Sequence, residues 1–528
     1  MGDQGTSPST WDRSPSTSER AGRARGPSHP GMVLALVCIG QFMVVLDLSI
    51  VNVALPSMQR DLGFSTPGLQ WVVNAYALAF GGFLLLGGRA ADLFGRRRIF
   101  MSGLVLFAGA SLVCGIAPDQ AMLVGARALQ GLGAAVLSPA TLTILTVTFQ
   151  KPAERARALG IWSAMAAVGG ASGALLGGIL TDLLSWRWVF YINIPVAVAA
   201  LVAARVVLAE SRADSARRAL DVPGAVVVTA ALVSLVYAVA GTDTHAWGAP
   251  ATVIPLALAG ALSLVFVAVE AKARAPLMPF RLFRSRALSA SNVAMLLVGG
   301  AMFSMWFFVS LYMQDVLRFS PLTTGLGFLP QTVAIAVGAQ ISSRLITRLG
   351  PRLPLVAGIV CSAVGLWWLS RLSPGGGYWT SVFGGADVAT FGMGLALTPL
   401  AFAATAGVAP AEAGLASGVL NTSRQVGASC GLAALATIAA NRTHALLTQG
   451  AGAASARAHD AAALSSGFSR GLALSAVIAA VGLLPALCIP RQPRREPAPG
   501  AEQGGGAEPA PASERVPDAV ALAAEPEG

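Results

Sequence analysis

The sequence predicts an all-α integral membrane protein of fourteen transmembrane helices, arranged as two six-helix halves with two inserted helices. Three observations carry this. Hydrophobic residues make up 55% of the 528 residues and charged residues only 12%, with a mean hydropathy of +0.66; an average soluble domain carries about 25% charged residues. Fourteen apolar stretches recur along the chain, each long enough to cross a bilayer core. Short sequence elements also return at a fixed offset, the first sign of an internal repeat.

In chain order, residues 1–30 are rich in Ser, Pro, Gly and Arg and read as a disordered cytoplasmic tail. They are too long and polar for the charged start of a signal peptide, so the first span stays in the mature protein. Spans are expected near 32–56, 69–88, 99–117, 121–148, 158–183, 188–208, 222–240, 250–270, 287–312, 323–346, 353–371, 379–405, 413–440 and 469–489. With both termini inside, 27 of the 36 Lys and Arg fall in cytoplasmic segments and seven in outer loops. Cytoplasmic loops are expected to carry that excess. The net charge of +11 is thereby explained by topology, not by nucleic acid. Asp221 opens the seventh span, a favourable place for a negative charge. Residues 441–468 read as a long outer loop and 491–528 as a disordered cytoplasmic tail. The expected organisation is 31–208 for the first half, 209–271 for the inserted pair and 272–490 for the second half.

The repeat rests on Phe64 and Ser65, which return 255 residues later as Phe319 and Ser320, before spans 2 and 10. The same offset links Arg89 to Arg344, Gly95 to Gly350 and Arg97 to Arg352. Two such halves about an axis along the membrane normal are a transporter arrangement. Thr347 stands where the first copy has Asp92.

The stretch Leu84–Met101 places Gly88, Asp92, Gly95, Arg96 and Arg97 in a short, strongly basic hairpin between two spans. This spacing resembles the loop between helices 2 and 3 of the major facilitator superfamily, and the resemblance implies a gating loop. Further segments resemble that superfamily's fourteen-span drug:proton antiporters, a family of multidrug efflux proteins: Leu46–Pro56, Leu123–Gly133, Ser185–Pro195 and Ala413–Asn421. Span 5 carries Gly169, Gly173, Gly177 and Gly178. Glycines at i, i+4 and i+8 line one face and admit a neighbouring helix closely. The run resembles the family's antiporter motif, except that Ala174 stands where the family usually has proline. Trp186 and Trp188 suit an interfacial aromatic belt.

Ionisable residues inside spans are functional candidates because burying them is costly. Asp47 in span 1 reads either as a proton carrier or as a carboxylate fixed by hydrogen bonds. Arg127 in span 4 sits in a segment resembling the family's motif for proton coupling; the alternative is a structural tie to span 1. Asp387 in span 12 is a possible substrate site, a second proton site or a buried hydrogen-bonded acid. Arg424 in span 13 reads as structural.

Five cysteines fall within spans and form no C-x-x-C pair, so neither disulfides nor a metal site is suggested. No catalytic motif or Walker A sequence is present. The resemblance therefore implies a transporter and not an enzyme. It would have no cofactor, would be driven by the proton gradient, and would export antibiotics or other lipophilic drug-like small molecules across the cell membrane as a monomer. The alternatives are a proton-coupled importer and a transport-inactive sensor. A central cavity is expected between spans 1, 4, 5, 9, 10 and 12, with aromatic and Met-rich walls from Met302 to Phe308. Only Lys151 and Lys272 are lysines; this bias, with abundant Ala and Gly, points to a GC-rich, actinobacterium-like bacterial source.

Overall fold

The computed structural model describes Gly2 and residues 30–490, apart from 211–220, 244, 274–275, 407, 409–411 and 450–455. The tails expected at 1–30 and 491–528 thus lie outside the described residues, Gly2 and Pro30 excepted. Every element among the described residues is helical. In order these are α1 (Pro30–Leu62), α2 (Thr66–Phe94), α3 (Arg96–Ile116), α4 (Gln120–Thr148), α5 (Pro152–Leu183), α6 (Trp188–Tyr191), α7 (Asn193–Val207), α8 (Val222–Ala240) and α9 (Pro250–Lys272). Then follow α10 (Arg286–Leu311), α11 (Pro321–Gly327), α12 (Leu329–Leu349), α13 (Arg352–Leu369), α14 (Gly384–Thr405), α15 (Ala413–Gln449), α16 (Ala456–Val481) and α17 (Leu483–Cys488). A π turn extends α10 to Val316, and another leads from Tyr378 into α14.

Twelve helical rods among the described residues are long and apolar enough to cross a membrane. α5 and α15 are not among them. Among the described residues of α5 the apolar run is Val168–Leu183, and α15 carries the polar run Asn421-Thr422-Ser423-Arg424-Gln425 in its first half. Both are nonetheless packed in the bundle, α5 along α1 and α15 along α10.

The 255-residue offset reappears in the backbone. Ser65 caps α2 by accepting from the Gly68 amide, and Ser320 caps α11 by accepting from the Thr323 amide, each with a proline in the first turn. Such a cap contributes about 1 kcal/mol. Gly95 and Gly350, which follow α2 and α12, both have positive φ, 106° and 74°. Gly63 (φ 68°) corresponds to Arg318 (φ 59°), the one non-glycine residue with positive φ among those described. The second copy therefore keeps the turn even where its residue tolerates it poorly. Packing repeats as well. α4 packs against both α2 and α3, as α14 does against α12 and α13. The two sets meet where α2 lies on α15, α5 on α11 and α1 on α10.

α8 lies against both α2 and α15, with Tyr237 6.5 Å from Trp71 between ring centroids. α9 packs on α8, and only 11% of its most apolar stretch is buried. It is therefore a peripheral, lipid-facing helix.

Two local expectations change. The loop expected over 441–468 is largely helix: α15 runs on to Gln449 and α16 begins at Ala456. Alanine-rich sequence favours helix, and the two extensions zip together through Arg442 to Ser466 and His459 to the Leu446 carbonyl. Trp186 is buried, not part of a surface belt, because its indole N–H donates to Asp61 at the end of α1 (2.9 Å) while Arg187 pairs with the same carboxylate. Trp188 is exposed as expected.

Candidate functional site: a buried ion pair beside a cavity

Asp47 and Arg127 are brought together in the interior of the first helical set. Arg127 Nη1 lies 2.5 Å from Asp47 Oδ2, and the two side chains are 0% and 1% exposed. The spacing of α1 explains the burial: Met43, Asp47, Ile50 and Ala54 share one helical face and all are buried. A lone charge there would be costly, and polar groups surround the pair, with the Asn193 Oδ1 left as a buried atom without a partner. Gln130 Nε2 donates to Asp47 Oδ1 (2.7 Å), and Arg127 donates to Gln130 Oε1 (2.6 Å). Asn193 Nδ2 reaches Asp47 Oδ1 at 3.2 Å, Ser111 Oγ accepts from Gln130, and Arg127 Nε donates to the Val72 carbonyl. The guanidinium also lies 4.3 Å from the centre of the Tyr76 ring, a cation–π contact. Five elements, α1 to α4 and α7, thus contribute to one network. Gln130, Asn193, Ser111 and Tyr76 were not singled out from sequence. Each is uncharged, and nothing in the chain marks which polar residue of a span turns inward.

On the other face of α1 lies a cavity of about 390 Å3. α1 offers it Gln41, Val45, Leu48, Ser49 and Asn52; Phe303 and Trp306 of α10 and Ile335 of α12 stand opposite. Residues of α5, α14 and α15 complete the lining, including Arg424. No described residue of α4 reaches it, a departure from the expected wall; α15 takes that place. The reason is that α4 packs on α2 and α3, behind α1. Of the expected aromatic and methionine wall, Phe303 and Trp306 line the cavity, while Met302, Met305, Phe307 and Phe308 are buried in the core. Asp387 is not among the lining residues. It lies in the first turn of α14, nearer that helix's start than its middle, and its Oδ2 is buried without a hydrogen-bond partner.

The glycine run of α5 seats α1. A Cβ on Gly173 would lie 2.6 Å from Ser49 Cβ, and one on Gly177 2.6 Å from the Ile50 carbonyl oxygen. Gly169 approaches the Phe42 carbonyl similarly. Gly178 turns instead to α11, where a Cβ would meet the Pro321 carbonyl at 2.6 Å. α5 passes Ala174 as a continuous helix. Ser49 Oγ donates to the Gly170 carbonyl (2.7 Å), the carbonyl that a proline at 174 would leave without its helical partner. α1 contains the complementary case. Pro56 leaves the Asn52 carbonyl without an amide donor, and Ser310 of α10 donates to it at 2.7 Å, with Gln314 donating to Val53 beside it.

In the basic hairpin, α2 ends at Phe94, Gly95 makes the turn, and α3 starts at Arg96. Gly88 packs near Pro139 of α4. Arg97 donates to the Arg205 carbonyl at the end of α7 (2.9 Å), and Arg98 lies 3.5 Å from Glu210. The side chain of Asp92 lies outside the described residues. Gly95, at φ 106° and ψ 128°, occupies backbone space closed to L side chains, and a Cβ there would also press on Glu210. Gly95→Ala should therefore cost about 1–3 kcal/mol, read as a lower unfolding midpoint of the purified protein. Gly109→Ala, whose added Cβ meets nothing within 4 Å, should leave the midpoint unchanged.

A repeated helical bundle with a cavity at the seam and an ion pair sealed inside defines a membrane transporter rather than an enzyme. The chain belongs to the Major Facilitator Superfamily, which its residues 37–432 match. It is 45% identical over 427 residues to the cephamycin export protein of Amycolatopsis lactamdurans, covering 80% of this chain and 88% of that one. It is 42% identical to the puromycin resistance protein of Streptomyces alboniger, over 78% of this chain and 82% of the relative. The lincomycin resistance protein of Streptomyces lincolnensis is 33% identical over 81% of this chain and 90% of its own length. A solved bacterial homolog of the human lysosomal transporter Spinster, in an inward-facing unoccupied conformation, matches with TM-score 0.63 over 87% of this chain and 97% of its own. At 15% identity that likeness speaks to fold alone.

Proposed function

We propose that this chain exports drug-like lipophilic small molecules from a bacterial cell across the plasma membrane, in exchange for protons, and so confers resistance to them. The observation that carries the reading is the placement of the cavity and the ion pair on opposite faces of one helix, α1. A compound in the cavity touches Val45, Leu48 and Ser49; Asp47, one residue away, faces the sealed network. Protonation of Asp47 would loosen its hold on Arg127 and release α1 to shift, which couples proton to substrate without contact between them. The similarity to export and resistance proteins supports the direction of transport.

In this reading α5 and α15 are the thirteenth and fourteenth spans, and residues 31–208 and 272–490 are the two rocking halves. The chain works as a monomer with both termini in the cytoplasm. The seam between α2 and α15 is suited to parting. Gln70 and Asn74 of α2 and Gln425 and Ser429 of α15 are fully buried, and their side-chain polar atoms lack hydrogen-bond partners. Leaving such groups unmet costs about 1–3 kcal/mol each, so the closed seam is not optimised for permanence. The basic hairpin, with Gly88, Asp92, Gly95, Arg96 and Arg97, would latch the cytoplasmic side when the protein opens outward. A proton-motive force of about 200 mV supplies roughly 4.6 kcal/mol per proton, enough for on the order of 10³-fold exclusion of a neutral compound.

The test is expression in a pump-deficient bacterium, with accumulation of lipophilic antibiotics and dyes measured with and without a protonophore. Lower accumulation that the protonophore abolishes is expected. Unchanged accumulation across the panel would overturn the export reading.

A further inference from the structure

We infer that the cavity binds an amphipathic carboxylate, with Arg424 as its counter-ion and Gln331 as a second donor. The inference rests on the export reading in taking this cavity as the place of the transported compound. Two arginines lie within the spans, and their situations are opposite. Arg127 has Asp47 at 2.5 Å. Arg424 has no ion pair among the described residues, although it lines the cavity. One of its amino groups donates to Asn421 Oδ1 (2.7 Å), and its Nε is buried without a partner. No described Asp or Glu lines the cavity, and Asp387 lies elsewhere. A cation kept at membrane depth without a counter-ion is costly, and a ligand anion removes that cost.

A second, independent feature points into the same space. Gln331 of α12 is 2% exposed and lines the cavity, yet neither its amide nitrogen nor its oxygen has a partner. Phe303, Trp306, Ile335 and Leu397 make the wall largely apolar, and Gln41, Ser49, Asn52 and Thr332 add uncharged polar groups to it. A planar guanidinium fork matches a carboxylate's two oxygens, and the aromatic walls suit a ring system attached to it. A cationic compound would meet repulsion, and a neutral one could accept a hydrogen bond from Arg424 but would leave its charge uncompensated. A phospholipid phosphate offers the guanidinium similar chemistry and is separated by the test.

The experiment uses the full chain, purified in detergent. Quenching of tryptophan fluorescence, with Trp306 in the cavity wall, reports binding of N-phenylanthranilate and of its neutral amide. The wild type should bind the anion at least tenfold more tightly. Arg424→Gln should bring the two within threefold without weakening the amide, Arg424→Lys should keep part of the preference, and Gln331→Leu should weaken the anion about threefold. Equal binding of the pair by the wild type would overturn the inference whatever the variants do, including a failure of Arg424→Gln to fold. So would a preference that survives in Arg424→Gln, or displacement of the probe by dihexanoyl phosphatidylglycerol at lower concentration than by N-phenylanthranilate itself. Export of neutral or cationic dyes without any preference for the anion would sink the carboxylate site and leave export standing. Arg424-dependent anion binding without protonophore-sensitive export would do the reverse.

Discussion

Asp47→Asn should abolish proton-driven exclusion of substrate, taking the ratio from on the order of 10³ toward 1 for one proton per neutral compound. Three donors converge on the Asp47 carboxylate, from Arg127, Gln130 and Asn193. An asparagine removes the charge that balances Arg127 and turns an amide N–H toward one of those donors. Breaking a buried pair from one side costs about 3–5 kcal/mol, because the remaining charge is left uncompensated. Arg127→Ala should therefore lower the unfolding midpoint strongly as well. The informative variant is the double replacement Asp47→Leu with Arg127→Met. Exchanging a whole buried pair for apolar side chains is often neutral or stabilising, so the double variant should recover much of the stability lost in either single one. It should not recover export. Protonophore-sensitive export by the double variant would place proton coupling outside this network, whereas loss of export with restored stability separates coupling from folding.

The expected coupling residues were legible as individuals, because a charge in an apolar span stands out against its neighbours. Their pairing was only partly legible, since Asp47 and Arg127 are 80 residues apart and meet through helix packing. The uncharged members of the network had no such signal. Asn193 lies within Ser185–Pro195, a segment noticed for its tryptophans, and Gln130 within the segment noticed for Arg127. The repeat was legible for a stronger reason. Ser65 and Ser320 act as helix caps and Gly95 and Gly350 as left-handed turns, so local chemistry fixes both copies. Helical spacing along α1 divides a buried face from a cavity face, but apolar residues occupy both, so the sequence alone did not say which face met the cavity. Arg424 was read as structural for a related reason: a partnered and an unpartnered arginine look alike in a sequence. The two inserted helices are similarly uneven. Composition marks both as spans, but only packing reveals that α8 touches the seam while α9 stays at the edge.

Gly173→Leu should eliminate export and destabilise the protein, while Gly170→Ala, one turn away on the cavity side, should do neither. Even the first carbon of a side chain at 173 would stand 2.6 Å from Ser49 Cβ and 3.0 Å from the Ile50 amide nitrogen. The backbone of α1 cannot rotate out of the way as a side chain would, so the two helices must separate. Overpacking of a core typically costs about 1–3 kcal/mol, and separation here also breaks the 2.7 Å bond from Ser49 to the Gly170 carbonyl. Because α1 carries Asp47 on its far face and the cavity on this one, its displacement strikes both the ion pair and the substrate space. A Cβ at Gly170 meets nothing within 4 Å, so Gly170→Ala should stay within about 0.5 kcal/mol of wild type. Gly178→Ala provides the remaining contrast. Its Cβ would press on the Pro321 carbonyl of α11 at 2.6 Å, across the seam, and leave the contact between α5 and α1 intact. It should therefore impair export while costing less stability than Gly173→Leu. Unfolding midpoints measured beside drug accumulation would rank the three. A Gly173→Leu protein with normal midpoint and normal export would mean that close seating of α1 on α5 is not what holds this transporter in working order.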